Sequence, residues 1–567
     1  MEPIFTPKSM ARTPLLRALQ RAFGLAVAAN EPGAPSAETL ADMATGQSRR
    51  DFLANTARMG LLVGAGGLLA ACEADVVEPA APAASRGSFD GKSSQPRIAV
   101  VGAGMAGLNC AYQLRKAGLR AEVYEASNRA GGRIFTARDL MAPGLTTELG
   151  GEFIDSGHVD MLGLVREFGL PLYDVEAASE TVLRKDAYFF GGQQYTVAQV
   201  IQAFQPYARQ IDADGRSLPN TITFDNLTAA AARFDQLSIS QYFDSIGMGP
   251  GLIRTLLEVA YVTEYGLEVN EQTAINFLWL FSADTHKGTF DIFGISDERY
   301  KIQGGNQRLT DALAQQLSGQ ISLQHKLLRV AQNAAGQYVL TFQTSAARPV
   351  EVVADYAVLT LPFTVLRQVD LQLSLPAWKT NAIQQLGYGT NAKLFLGFNS
   401  RPWRTDGYTG YIFSDRPVQS GWDSGQLQPT TQSAYTVYLG GQEGQRVGTG
   451  SAQSQVSRYL PVIEAAWPSA RGQYNGRVER MHWPTHPLTL ASYACYRPGQ
   501  YTNIAGAEGR PVGKLYFAGE HCSAWFQGYM NGAAETGRLA AEGIQKALVG
   551  NQTALHRRRR QREAALA

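Results

Sequence analysis

The chain has 567 residues, more than one domain ordinarily holds, so two or three folded units are expected. A hydrophobic share of 45% against 18% charged excludes a largely disordered protein, and 51 basic against 49 acidic residues give no electrostatic case for a nucleic-acid partner. Four cysteines are too few for a disulfide scaffold, and no metal site is expected.

In chain order, Ser48-Arg49-Arg50-Asp51-Phe52-Leu53 precedes the apolar run Met59 to Ala71, too short and glycine-rich to span a membrane. The order of arginine pair, Phe-Leu and apolar run reads as a twin-arginine export signal within residues 1–72, with a periplasmic destination and a cofactor loaded before export. Leu69-Ala70-Ala71-Cys72 resembles a lipobox, which would make Cys72 a lipidated membrane anchor; plain cleavage near Ala71 is the alternative. Residues 73–95, rich in Ala, Pro and Ser, read as a flexible linker, and 549–567 as a basic disordered tail.

Arg97-Ile98-Ala99-Val100-Val101 is a β-branched run leading into Gly102-Ala103-Gly104-Met105-Ala106-Gly107, after which Leu108, Ala111, Tyr112 and Leu114 recur at helical spacing up to Gly118. Strand, glycine turn and helix form a dinucleotide-binding arrangement. Gly102 permits the tight turn, Gly104 lets the backbone approach a pyrophosphate, and Gly107 lets helix and strand pack closely; Ala106 belongs to the same cofactor-facing turn. Ala121 to Glu125 reads as a second strand ending in an acid about 20 residues on, where Glu125 can accept ribose hydroxyls.

The following Ala126 to Arg133, with the glycine pair Gly131-Gly132, resembles the extended FAD signature of the flavin amine oxidase superfamily, which includes monoamine, polyamine and L-amino-acid oxidases. The residues themselves agree, since Arg133 offers planar paired donors to a diphosphate. The resemblance continues through Thr147 to Asp155, Ile302 to Leu309 and Val358 to Pro362. It ends in Leu515 to Glu520 followed by Gly528-Tyr529-Met530-Asn531-Gly532-Ala533. It implies an α/β protein with a Rossmann-like, discontinuous FAD-binding domain at 96–160, 298–372 and 485–548. An α+β substrate-binding domain would occupy 161–297 and 373–484.

By the same resemblance, Gly150 and Gly151 pass the isoalloxazine ring, Leu327 makes a backbone contact to adenine, and Gly519 and Glu520 bind the ribityl-pyrophosphate stretch. Tyr529 and the Met530 N–H face the ring. Lys393, in Gly389 to Leu396, would touch the flavin through a water, and Tyr493 and Tyr529 would be the walls of an aromatic cage, with Trp525 a substitute. Ser492 stands where monoamine oxidases carry a covalent flavin cysteine, so noncovalent FAD is expected, although Cys495 lies three positions on.

Substrate class turns on the residues after Gly151. Phe153 stands where L-amino-acid oxidases commonly place a carboxylate-binding arginine, while Glu152 and Asp155 would favour a cationic substrate. The resemblance implies oxidative deamination of a primary amine or polyamine, with molecular oxygen consumed and a carbonyl compound, ammonia and hydrogen peroxide released. An L-amino-acid oxidase using an arginine such as Arg497 stays open; a desaturase or a non-catalytic flavoprotein is a more distant reading. The oligomeric state also stays open, a homodimer being one option.

Overall fold

The computed structural model describes residues 95–280, 297–346 and 348–566, scattered positions between 22 and 41, and side chains through residue 550. The arginine pair, the apolar run, Cys72 and the linker up to residue 94 lie outside the described residues.

The body begins with β1 (Ile98–Val101), α1 (Met105–Lys116) and β2 (Ala121–Tyr124), followed by β3 (Arg184–Phe190), β4 (Gln193–Tyr195), α2 (Val197–Ser217) and α3 (Leu252–Tyr265). After these come β5 (Tyr300–Ile302), β6 (Ile321–Ser322), β7 (Tyr356–Leu359), β8 (Ala392–Phe398), β9 (Tyr408–Ser414) and β10 (Ser420–Asp423). Strands β11 (Ser433–Leu439), β12 (Tyr474–His482) and β13 (Leu515–Phe517) lead to the last helix, α4 (Met530–Leu566).

Two sheets organise the molecule. The first has the order β13-β7-β1-β2-β6 and is parallel at every pairing, with Ile98 beside Tyr356 on one side and Ala121 on the other. Helices cover one face of this sheet, and a four-stranded sheet built from Lys326–Gln332, Tyr338–Gln343, Val350–Ala354 and Asp370–Gln372 covers the other, which is why β1 and β7 are continuous apolar runs with every residue buried. Helix α1 packs Leu108, Ala111 and Leu114 into this core beside Ala534, Ala541 and Ile544 of α4.

The second sheet runs β12-β8-β11-β10-β9-β3-β4, antiparallel except where β9 meets β3. All seven residues of β8 are buried. Side chains alternate across a strand, so Leu394, Leu396 and Phe398 join Trp403 and Tyr459 in one core, while Phe395 packs with Leu145 and Leu149 in another. Lys393 shares the Phe395 face, and that parity turns it toward the segment 148–152. A helical layer lies beside this sheet. Helix α2 opens with a Thr196/Gln199 capping box, and α3 stops at left-handed Gly266.

Both chain ends differ from expectation. The backbone of α4 continues through 549–566, where the sequence predicts a disordered tail; Ala, Leu, Gln, Arg and Glu dominate there and readily extend a helix already nucleated upstream. Part of the expected signal region is also built into the body. Phe23, Leu25, Ala26 and Val27 are buried, and Phe23 meets Phe204 of α2 at 5.2 Å between ring centroids. Asn30 Nδ2 donates to the Gln205 carbonyl at 3.0 Å, and Gln202 Nε2 to Glu38 at 2.9 Å. This short apolar segment lies upstream of the arginine pair on which the export reading rests.

Candidate active site

The glycine turn after β1 is shaped by close approaches. Gly102 has φ +104°, and a Cβ on Gly107 would lie 1.9 Å from the Gly102 carbonyl oxygen, so α1 reaches its packing distance only without a side chain there. The Glu125 carboxylate accepts the Ala103 N–H at 2.7 Å and the Ser127 N–H at 2.8 Å, which fixes it at the end of β2. No side chain caps the N-terminus of α1 and no acid sits in its first turn, leaving its amides available to an anion.

This turn opens onto a cavity of about 300 Å³. Gly102, Gly104, Ala106, Glu125, Arg133 and Leu327 line one stretch of its wall; Gly150, Gly151, Gly519, Glu520, Tyr529 and Met530 line another. Lys393, Tyr493, Glu152, Phe153 and Asp155 line it as well. Gly107 is the one predicted cofactor residue behind the wall, where it serves the packing of the turn. Segments spread between residues 102 and 533 thus meet around one space.

The cavity fits an FAD. Its wall combines glycines that admit close backbone approach, an uncapped helix N-terminus, an acid at the end of the second strand, and the Arg133 guanidinium. Arg133 Nη1 bonds the Ser492 carbonyl and lies 3.0 Å from Glu520. Glu520 also accepts the Gly528 N–H at 2.9 Å, so its carboxylate orients Arg133 and the turn before α4 at the wall it was predicted to occupy. Among the described residues, no group of three or more His, Cys, Asp or Glu side chains is placed to hold a metal ion.

The catalytic candidates are held by specific partners. Lys393 Nζ donates to the Gly150 carbonyl and to Glu152, each at 2.9 Å, and to the Glu148 carbonyl at 3.1 Å. Tyr493 Oη donates to the Glu264 carbonyl at 2.6 Å and accepts from Tyr438 Oη at 2.9 Å. Tyr529 stands against the edge of His158, centroids 5.0 Å apart.

Glu152 is held by partners within the protein. It was expected to draw a cationic substrate, but Lys393 bonds one carboxylate oxygen; the other receives the Trp422 indole N–H at 3.1 Å, with Lys301 Nζ 3.6 Å away. Burial alone would push this carboxyl up, yet the two lysines outweigh it and hold it below the usual range. A carboxylate flanked by two ammoniums contributes no net negative field to a substrate.

Asp155 is built into a support. Its Oδ1 accepts the Glu298 N–H at 2.9 Å, and its own N–H donates to His158 Nδ1 at 3.0 Å, with His158 Nε2 3.3 Å from Oδ2. Burial pushes His158 down to about 3, so the ring is neutral with its proton on Nε2, facing Asp155 and propping Tyr529.

Several wall residues carried no signal in the sequence. Trp422 and Tyr438, 5.4 Å apart, come from β10 and β11 and complete the aromatic side with Phe153, which Trp422 meets edge-on at 5.6 Å. Only the pairing of these strands brings them there. Conversely, Trp525 lines a smaller neighbouring cavity of about 80 Å³ that shares Tyr529. Arg497 pairs with Glu271 at 3.0 Å and is not part of the wall. Cys495 is buried against Asn276, and His521 packs on Phe363 at 4.5 Å with burial pushing it down to about 4.

A parallel sheet presenting a glycine turn to a long cavity, with a second sheet supplying a buried lysine and an aromatic wall, defines a two-domain dinucleotide-dependent oxidoreductase. The chain belongs to the flavin-containing amine oxidoreductase family, whose model matches residues 105–545. It is a flavoenzyme of the FAD-dependent amine oxidase class, acting on CH–NH₂ donors. It is 23% identical over 467 residues to a flavin-containing amine oxidase of Danio rerio, covering 80% of this chain and 86% of that one. It is 26% identical over 470 residues to an L-amino-acid oxidase of Demansia vestigiata, covering 80% and 88%. Its fold is similar to that of cyclohexylamine oxidase from Brevibacterium oxydans, at TM-score 0.68 and 20% identity, covering 80% of this chain and 99% of that one. A putrescine oxidase bound to putrescine aligns at TM-score 0.66, again with 20% identity and the same coverages.

Proposed function

We propose that this enzyme oxidises a primary amine or polyamine with noncovalently held FAD. The observation that carries the reading is the joint placement, in one cavity, of a buried lysine on β8 and an aromatic wall of Phe153, Trp422, Tyr438, Tyr493 and Tyr529. When bound, the flavin would accept a hydride from the amine-bearing carbon and pass its electrons to oxygen, giving hydrogen peroxide and an imine that water hydrolyses to a carbonyl and ammonia. The aromatic wall desolvates the amine and so favours its neutral, reactive form. Tyr493 is held by Tyr438 and the Glu264 carbonyl, Tyr529 by the His158 ring. Lys393 sets a positive charge where electron density accumulates.

An amino acid suits the site less well. Phe153 occupies the expected arginine position and Arg497 is committed to Glu271 outside the cavity, so neither provides a partner for a substrate carboxylate. Ser492 on the wall, with Cys495 packed away from it, supports a noncovalent flavin; acid precipitation of the purified protein should leave the yellow colour in the supernatant. The deciding experiment is a peroxide assay with putrescine, an arylalkylamine and several L-amino acids. Peroxide from an amine is expected. Turnover of amino acids alone would replace the proposal by an L-amino-acid oxidase, and silence across the panel would sink the oxidase reading. The arginine pair and Cys72 support export of the loaded protein to the periplasm with a lipid anchor, which cell fractionation of wild type and Cys72→Ser tests.

A further inference from the structure

Two lysines from different sheets share one carboxylate. Lys393 (β8) and Lys301 (β5) are both about 5% exposed, and Glu152 lies between them at 2.9 and 3.6 Å. Every element around Lys393 is accounted for. Tyr438 of β11 and Met481 of β12 flank it in register, β10 contributes Trp422, and the segment 148–152 contributes Glu148 and Glu152. Glu148 is tied to the Thr136 hydroxyl and the Asn306 N–H, while Lys301 also reaches the Ser424 carbonyl at 3.5 Å. Asp155 and Glu298 line the same cavity and bond one another. A buried ammonium persists only with a counter-charge. Glu152 is the carboxylate in contact with both lysines, and Glu148 lies within electrostatic reach of Lys393.

We propose that Glu152 is a positioning residue for Lys393. It fixes the ammonium against the Gly150 carbonyl and keeps it protonated, and Lys301, on the same carboxylate, adds a second positive charge behind this wall. The inference rests on the assignment of Lys393 to the reactive face of the flavin. It makes the expected substrate acid a part of the oxidative machinery instead.

The test uses purified holoenzyme. Reoxidation of the reduced protein by oxygen is followed by stopped flow across about pH 6 to 10, a window that brackets a lysine with lowered pKa. Flavin midpoint potential and melting temperature are measured alongside. Wild type is expected to show no fall in rate above about pH 8, beyond the Glu148 carboxyl that burial pushes up to about 7. Glu152→Gln removes the carboxylate in contact with both ammoniums, so one sheds its proton within the window. The rate then falls as pH rises, by about tenfold for each pH unit above the new midpoint. Glu152→Gln/Lys301→Met removes the competing cation and moves that midpoint back up. Lys301→Met alone keeps the Lys393–Glu152 pair, so its profile stays flat while the midpoint potential drops. A merely structural ion pair would lower the melting temperature and leave profile and potential unmoved. A flat profile in Glu152→Gln overturns the proposal, as does an unchanged potential in Lys301→Met, which decides the matter if the glutamine variant fails to fold. Lys393→Met separates this inference from the assignment beneath it. Wild-type reoxidation in that variant removes the assignment; slow reoxidation there with unmoved Glu152 and Lys301 variants removes only the inference.

Discussion

Glu508 is a buried acid outside the cavity wall. It is 2% exposed and accepts the Tyr496 hydroxyl at 2.9 Å; its backbone carbonyl receives Lys379 Nζ at 2.7 Å, and that ammonium sits 3.9 Å above the Phe517 ring. Burial pushes the Glu508 carboxyl up to about 7 and the Lys379 ammonium down to about 8. The folded state therefore prefers Glu508 protonated. Its stabilisation is complete below the ordinary value of 4.5 and is lost as pH rises toward about 7. Glu508→Gln keeps the hydrogen-bonding shape without the charge. Between those pH values wild type should lose about 3 kcal/mol relative to this variant, read from denaturant melts at each pH. Parallel pH trends in the two proteins would show that Glu508 stays ionised in the fold. Residues of this kind were silent in the sequence because their chemistry depends on burial. Gly102, Glu125 and Arg133 announced themselves by spacing. Trp422 and Tyr438 did not, since only strand pairing between distant segments aims them at the cavity.

At the scale of elements, the strand, glycine turn and helix at 98–116 were readable because every local preference agrees: a β-branched run, glycines where the backbone must turn or nearly touch, then helical spacing. Gly107→Ala tests this unit. The added carbon would sit 1.9 Å from a backbone oxygen, a contact no rotamer change relieves, so α1 must tilt off β1. Purified Gly107→Ala should be colourless or release FAD on gel filtration, and should lose roughly 3 kcal/mol or more of stability. Retention of a full flavin spectrum would mean that the turn accommodates a methyl group. Strand β8 was legible only in part. Its run of Leu394 to Phe398 reads as a strand, but burial of both faces, which makes Lys393 an interior residue, follows from the helix Ala452–Ala466 and the 141–149 segment closing over it. The continuation of α4 to 566 was missed because a row of arginines looks solvated whether helical or not.

For the molecule as a whole, the two-domain plan followed from the order of motifs, whereas the seating of Phe23, Asn30 and Glu38 against α2 did not, because a few apolar residues near an N-terminus resemble part of a targeting sequence. Phe23, Leu25 and Val27 are nonetheless buried. Deleting residues 1–47 should uncover Phe204 and Gln205 and lower stability by about 3 kcal/mol or more, the worth of two such side chains returned to water. An unchanged melting temperature in the deletion variant would show that the segment is dispensable to the body.

The first sheet has its own outcome for synthesis. Strand β1 is nearly the first of the described body to leave the ribosome, yet its neighbour β7 follows more than 250 residues later, the Thr360 hydroxyl bonding the Val101 carbonyl across a separation of 259. The outermost strand, β13, pairs only at Leu515–Phe517. A nascent polypeptide therefore carries an open, apolar β-edge through most of translation, and chaperone shielding during that interval matters more to its yield than intrinsic folding speed.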